Sequence, residues 1–358
     1  MLKTSMNNID ALLSAIAEST NLYLPVSTGT EVRYDKWKSG DTADIGSGEQ
    51  VNYHKYSADK VVRLDAISTI GTPKDMFFPQ SEDLASFRRN GKEITVEAVA
   101  PEVEEFAVIG VRPCDARSIE ILDMVFLSDP VDNFYKARRE HGTLITLACD
   151  MPLETCFCTA FGIDATGLSG DVTIYMDNGY LYWQAVTPKG EKLEKQVSSF
   201  FEPAEESELN AFKQRTKDYL SKLLYGKVST KKIAEKTLKE LFDSDKWREL
   251  SSACLGCGTC TFVCPTCQCY DIEDFDAGDE VRRFRCWDSC MYSDFTQMAH
   301  GNPRTSQIER FRQRFMHKLS YFPANNDGVF ACVGCGRCVA KCPISMNIVK
   351  VINALGED

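Results

Sequence analysis

Histidine is scarce in this chain. Four of its 358 residues are histidine, at 54, 141, 300 and 317, and none has ligand spacing, so surface or core positions are expected for them. No Ser–His–Asp or Cys–His pairing stands out, which argues against the familiar nucleophilic enzymes. No Gly-x-Gly-x-x-Gly follows a predicted strand and there is no Walker A phrase, so no recognisable dinucleotide or P-loop site is expected. No run approaches ~18 consecutive apolar residues, and a transmembrane helix is not expected. The opening Met1-Leu-Lys-Thr-Ser-Met-Asn-Asn has no apolar core and does not read as a secretory signal. Basic residues are outnumbered 41 to 52, and the net charge of −11 disfavours a phosphate backbone as partner. Nucleic acid and membrane are both excluded as expected partners.

Cysteine, by contrast, is abundant, with sixteen in the chain. Without a secretory signal, clustered thiols point to metal binding in a reducing cytoplasm rather than to disulfides. Two phrases carry the signal. The first is Cys254-Leu-Gly-Cys257-Gly-Thr-Cys260-Thr-Phe-Val-Cys264-Pro265, and the second is Cys332-Val-Gly-Cys335-Gly-Arg-Cys338-Val-Ala-Lys-Cys342-Pro343. Both are C-x2-C-x2-C-x3-C-P, the run with which two-cluster ferredoxins hold [4Fe–4S] clusters. A tight turn supplies three thiolates to a cube, and the fourth comes from the other phrase. The expected sets are therefore Cys254, Cys257, Cys260 and Cys342 for one cluster, and Cys332, Cys335, Cys338 and Cys264 for the other. The glycines at 256, 258, 334 and 336 allow close backbone approach. Structural zinc is the alternative for any single C-x2-C, and the duplication argues against it.

The chain is long enough for two or three domains, and the reading here is α+β. Residues 1–245 are expected to form a mixed α/β domain, and residues 246–358 an α-helical two-cluster ferredoxin-like domain. Apolar spacing predicts a helix over 8–18, with Ile9, Leu12, Leu13 and Ile16 on one stripe. A loop region is expected over 30–56, a strand over 60–68, and a helix beginning at Ser81, where a capping residue precedes acids. Buried strands are expected over 105–111 and 143–148, with a helix over 116–127 between them. A hairpin is expected over 171–187, turning at Asp177-Asn-Gly179. Helices are expected at about 206–224, 230–242 and 305–322. The arginines of the last (Arg310, Arg312 and Arg314) are read as a solvated face.

A third metal site is inferred in the first domain. Cys114 and Cys149 each follow a predicted buried strand. If those strands are parallel neighbours, both thiols open on one sheet edge, where α/β folds place ligands. Cys156-Phe-Cys158 follows closely, completing four thiols for a third Fe–S cluster, with structural zinc as the alternative. Cys267, Cys269, Cys286 and Cys290 remain. The last two share a face if helical, and all four are read as packing around the second cluster rather than as a further metal site.

Taken in order, Thr72-Pro-Lys-Asp-Met-Phe-Phe-Pro79, Arg112-Pro-Cys-Asp115, Cys149 with Cys156-Phe-Cys158, Cys264-Pro-Thr-Cys-Gln-Cys-Tyr270, Arg285-Cys-Trp-Asp-Ser-Cys290 and the second ferredoxin phrase form a set. It resembles the iron–sulfur subunit family shared by anaerobic sulfite reductase and soluble NAD(P)-linked nickel–iron hydrogenase, or sulfhydrogenase, where it is the beta subunit. The resemblance covers nearly the whole chain. It implies two [4Fe–4S] clusters and an additional cluster on Cys114, Cys149, Cys156 and Cys158; exposed cluster chemistry itself points to an oxygen-avoiding setting. It also implies electron transfer from an FAD- and NAD(P)H-binding partner to a siroheme or nickel–iron catalytic subunit. Cys267, Cys269 and Cys290 fall on the family pattern as cluster neighbours or further ligands, whereas Cys286 departs from it. Two other readings are an Fe–S subunit feeding a heterodisulfide-reductase-type complex and a stand-alone cluster enzyme. A zinc-stabilised interaction module is a third.

Overall fold

The computed structural model describes residues 1–28, 31–38, 43–44 and 61–357 of the chain. The fold is α+β. Strands Asn21–Thr28, Phe106–Val111, Gly142–Leu147 and Val172–Asp177 lie side by side and parallel in the main sheet. Tyr180–Ala185 returns antiparallel through the turn at Asn178-Gly179, and Leu2–Ser5 pairs beyond it. Phe106–Val111 is buried along its whole length. Its Ala107 and Ile109 join one apolar cluster with the helix Ile9–Ala17, while Phe106, Val108 and Val111 join another with the helix Pro113–Phe126. Such two-sided cover explains why the strand reads as a continuous apolar run instead of an alternating one.

Three local expectations are corrected here. Ser81–Asn90 is a strand, not a helix. It pairs with Glu93–Ala98 on one side and with Glu280–Trp287 on the other. The acids that resembled a helix first turn meet arginines instead: Glu82 pairs with Arg285 and Arg138, and Asp83 with Arg282. In the 30–56 stretch expected as a loop, Glu31–Lys36 is a strand on Asn21–Thr28, and Ala43–Asp44 pairs with Val61–Arg63. Val32 is buried there, which a solvated loop would not require. The strand expected over 60–68 is limited to Val61–Arg63. Residues 29–30, 39–42 and 45–60, including His54, lie outside the described residues.

The second sheet joins residues on either side of position 245. The hairpin of Tyr270–Asp276 and Glu280–Trp287 fills part of the stretch between the two ferredoxin phrases, which was expected to be helical. Irregular chain with one short 3-10 turn over Asp294–Thr296 follows, and then helix. Gln307–Met316 starts in a capping box between Ser306 and Glu309, runs into a π-helical turn over His317–Tyr321, and continues as Phe322–Asn325. Phe311 and Phe315 of this helix pack with Trp247 and with Ile348, Val351 and Ile352 of the last helix, Ile348–Gly356. Phe157, which lies between the cysteines of Cys156-Phe-Cys158, is buried in that same cluster.

Candidate iron–sulfur centres

The first centre grows from the sheet edge. Cys114 lies in the first turn of Pro113–Phe126, directly after the strand Phe106–Val111, and Cys149 lies two residues beyond Gly142–Leu147. Because these strands are parallel neighbours, both cysteines leave the same edge. Arg112, itself buried, holds that edge together. Its guanidinium donates to the carbonyls of Leu64, Ala66, Leu147 and Ala148, the shortest bond being 2.6 Å to Ala66. A cavity of about 400 Å³, its open mouth included, is lined by Cys114, Cys149, Cys156 and Cys158, together with Cys335 from the second ferredoxin phrase. Burial pushes the thiols of Cys114, Cys149 and Cys156 up from their usual range, and that of Cys158 up to about 12. Thiols held this way stay neutral unless a cation compensates the thiolate, which fits a donor set for a metal cluster.

A second cavity of about 330 Å³, measured the same way, is lined by Cys264, Cys332, Cys335 and Cys338, with Arg314 and Lys318 in its wall. Cys264 comes from the first phrase and the other three from the second, which is the exchange expected from the spacing. Cys335 therefore lines both cavities. Thiolates on the corners of a cube stand farther apart than four ligands around one ion. Among the described residues no group of three or more His, Cys, Asp or Glu side chains closes round a single metal ion.

Of the set expected for the remaining cluster, Cys254 and Cys260 are half-buried and Cys257 is exposed. Gly256 N–H and Gln307 Nε2 each reach within 3.5 Å of Cys254 Sγ. Cys342 follows the helix Arg337–Lys341, which packs on the Thr259–Phe262 helix that carries Cys260, and its Sγ lies 3.4 Å from the Met346 carbonyl.

Buried cations around these thiols were not legible in the sequence. Arg314, expected on a solvated face, is only 3 % exposed, and it donates to the Cys260 carbonyl at 3.3 Å. Burial disfavours its charge, but the thiols of Cys260, Cys338, Cys267 and Cys264 hold its pKa above the usual range. Lys318, on the π-helical turn, donates to Thr266 Oγ1 at 2.8 Å and to the Ala331 carbonyl at 3.0 Å. Despite burial its pKa is raised, chiefly by Cys264 and Cys267. Lys74 lies 3.3 Å over the Trp287 ring and donates to the Cys267 carbonyl at 3.1 Å; burial lowers its pKa. The only hint of Lys74 in the sequence was its place in the Thr72–Pro79 phrase.

Cys286 sits in the strand Glu280–Trp287 opposite Asp271, so it does not share a helical face with Cys290. The Cys267 thiol donates a hydrogen bond to Cys264 Sγ, which with Lys318 and Thr266 holds the Cys264 thiol well below its usual range. A hydrogen bond donated by the Cys290 thiol lowers Cys269 to about 7, against the effect of burial.

The two halves meet through Arg337, which lies between Cys335 and Cys338. It forms a bidentate pair with Asp115, the neighbour of Cys114, at 2.5 and 2.8 Å, and donates to the Thr69 carbonyl at 3.0 Å. The backbones meet here as well, Phe157 N–H donating to the Gly334 carbonyl at 2.9 Å. Gly334 has φ of +60°, and a Cβ there would stand 2.5 Å from the Phe157 carbonyl oxygen, so a side chain would force the segments apart.

Residues 253–346 match the family described as 4Fe-4S dicluster domain, and two [4Fe–4S] clusters follow for this part of the chain. Over 300 residues the chain is 33% identical to the sulfhydrogenase 2 subunit beta of Pyrococcus furiosus, a match covering 82% of this chain and 85% of that one. No solved structure matches. Among the described residues no helix is long and apolar enough to cross a membrane. With the dicluster motifs, the cysteine cavities and this identity together, the chain belongs to the family of sulfhydrogenase beta subunits, iron–sulfur proteins of electron transfer.

Proposed function

We propose that this chain is a three-centre electron relay within a multisubunit cytoplasmic oxidoreductase. It passes electrons from a flavoprotein partner that binds FAD and NAD(P)H to a catalytic subunit of nickel–iron or siroheme type. The observation that carries the proposal is the thiol wall shared by the two cavities, in which Cys335 faces both sets of cysteines. A [4Fe–4S] cluster takes up and releases one electron at a time, at a potential set by its surroundings. In this assignment Cys114, Cys149, Cys156 and Cys158 hold the third cluster, and Cys264, Cys332, Cys335 and Cys338 the central one. Cys254, Cys257, Cys260 and Cys342 hold the last, and residues 1–245 serve as the unit that docks the third centre onto the dicluster domain.

The protein's own groups set the electrical environment. Arg314 and Lys318 place two buried positive charges in the wall of the central cavity. They favour added negative charge there. Arg337 and Asp115 fix the spacing of the two neighbouring sites. Anoxic purification of the tagged chain from its host, with cofactor analysis of what accompanies it, tests the assignment. A flavoprotein together with a nickel–iron or siroheme subunit is the expected result. Iron-loaded chain recovered with no redox companion at any salt concentration argues for a free carrier instead.

A further inference from the structure

The two ferredoxin phrases are equivalent in sequence but not in surroundings. On the second phrase, Val333 is 2 % exposed. Its turn is covered by residues of the first half of the chain, with the backbone of Phe157 on Gly334 and that of Thr155 on Gly336. The cover carries a cysteine site of its own. On the first phrase the matching residue is Leu255, and it is 67 % exposed. Gly256 and Gly258 meet only the side chains of Gln307 and Tyr292. Tyr292 is itself 37 % exposed, and its hydroxyl donates to the Cys257 carbonyl at 3.1 Å. Of the sixteen cysteines, all among the described residues, Cys257 alone is exposed.

From this broken equivalence we infer that the Leu255–Cys257 turn is the docking surface for a partner subunit that carries an electron-exchanging cofactor at its contacting face. The partner covers the first phrase as the first half of the chain covers the second. The internal copy shows what such a cover looks like: backbone laid against the glycines of the turn, an apolar residue buried at the contact, and a cysteine-lined cavity directly behind it. An exposed apolar side chain at a ligand turn fits the centre of such an interface. Electron exchange also favours this point, because a cofactor brought against Cys257 has no intervening protein to cross. The inference rests on the relay reading.

The test uses the native complex purified without oxygen. Leu255→Glu and Leu255→Ala are compared with Leu168→Glu, which alters an exposed leucine in the first half of the chain. Iron content and visible absorbance are measured first. Chain without iron, wild type included, refutes the relay reading itself and is thereby separated from failure of the docking surface. With iron retained, Leu255→Glu is expected to weaken retention of one cofactor-bearing subunit, or the rate of electron transfer to it, at least tenfold. Leu255→Ala shifts the same quantities in the same direction, and Leu168→Glu leaves them unchanged. A photoreactive phenylalanine at position 255 is expected to cross-link to a chain that carries flavin or metal. Native retention and rate in both iron-loaded Leu255 variants overturns the inference, as does a cross-link solely to a second copy of this chain. If Leu255→Glu fails to hold iron, Leu255→Ala and the cross-link decide.

Discussion

Replacing Asp115 by leucine tests the join between the two halves of the molecule. The carboxylate is 1 % exposed and the facing Arg337 is 5 % exposed, so neither charge has water to fall back on. The pair is bidentate, at 2.5 and 2.8 Å, and spans 222 positions of sequence. Leucine keeps the branched heavy-atom skeleton, though it is bulkier, and accepts no hydrogen bond. Arg337 then keeps only the Thr69 carbonyl and hydroxyl, at 3.0 and 3.5 Å. Stranding a buried charge in this way costs about 3–5 kcal/mol. That is a large fraction of the ~5–15 kcal/mol that holds a domain folded. Replacing both partners, as Asp115→Leu with Arg337→Met, removes the stranded charge and is expected to recover most of the loss. The assay is anoxic guanidinium unfolding of the iron-loaded protein, followed by intrinsic fluorescence and by visible absorbance. Because Arg337 lines the first cavity, absorbance is expected to bleach at lower denaturant in the single variant. A single variant within about 0.5 kcal/mol of wild type would refute the reasoning, since surface-like substitutions fall in that range. A double variant no more stable than the single would do the same.

Two further outcomes follow from the buried charges. Lys318→Met removes a cation from the wall of the second cavity, so the potential of the cluster assigned there is expected to fall by on the order of 50–100 mV, the equivalent of about 1–2 kcal/mol at an effective dielectric constant near 20. Redox titration followed by electron paramagnetic resonance reads the shift, and an unchanged or higher potential contradicts it. His317 is pushed down to about 4, first by burial and then by Lys318 and Arg304. Below pH ~6.5 the unfolded chain protonates this residue while the folded one does not, so stability falls as pH drops from about 6.5 toward 4, by up to about 3 kcal/mol. His317→Gln is expected to flatten that slope in unfolding measured across this range; an unaltered slope assigns it to other groups.

The duplicated cysteine spacing was legible because cluster ligands are dictated by local turn geometry, and the phrase itself leads one to expect Cys264 beside the cysteines of the second phrase, where it lines the same cavity. The strand before Cys114 was legible because burial on both faces leaves a continuous apolar run. Ser81–Asn90 was misread because acids after a serine have two physical uses. They can meet the free N–H groups of a first helical turn, or arginines on a neighbouring strand, and Arg285 and Arg282 lie about 200 positions away. The same distance hid Arg337, whose carboxylate partner no local pattern could supply. Arg314 looked like part of the solvated face of an amphipathic helix, because sequence periodicity does not reveal a cavity of thiols beside it. Cys286 was misplaced because a four-residue spacing implies a shared face only on a helix, and the chain there is a strand pairing with Tyr270–Asp276.

The central claim is that the chain holds a third iron–sulfur centre beside the two of its dicluster domain. The direct measurement is iron and acid-labile sulfide per chain, with electron paramagnetic resonance spin quantitation, on anoxically purified wild type and Cys156→Ser. The account predicts three reducible centres in the wild type. It predicts loss of one cluster's iron in the variant, with the other two signals intact. Two centres in the wild type, or an unchanged iron count in Cys156→Ser, would contradict it.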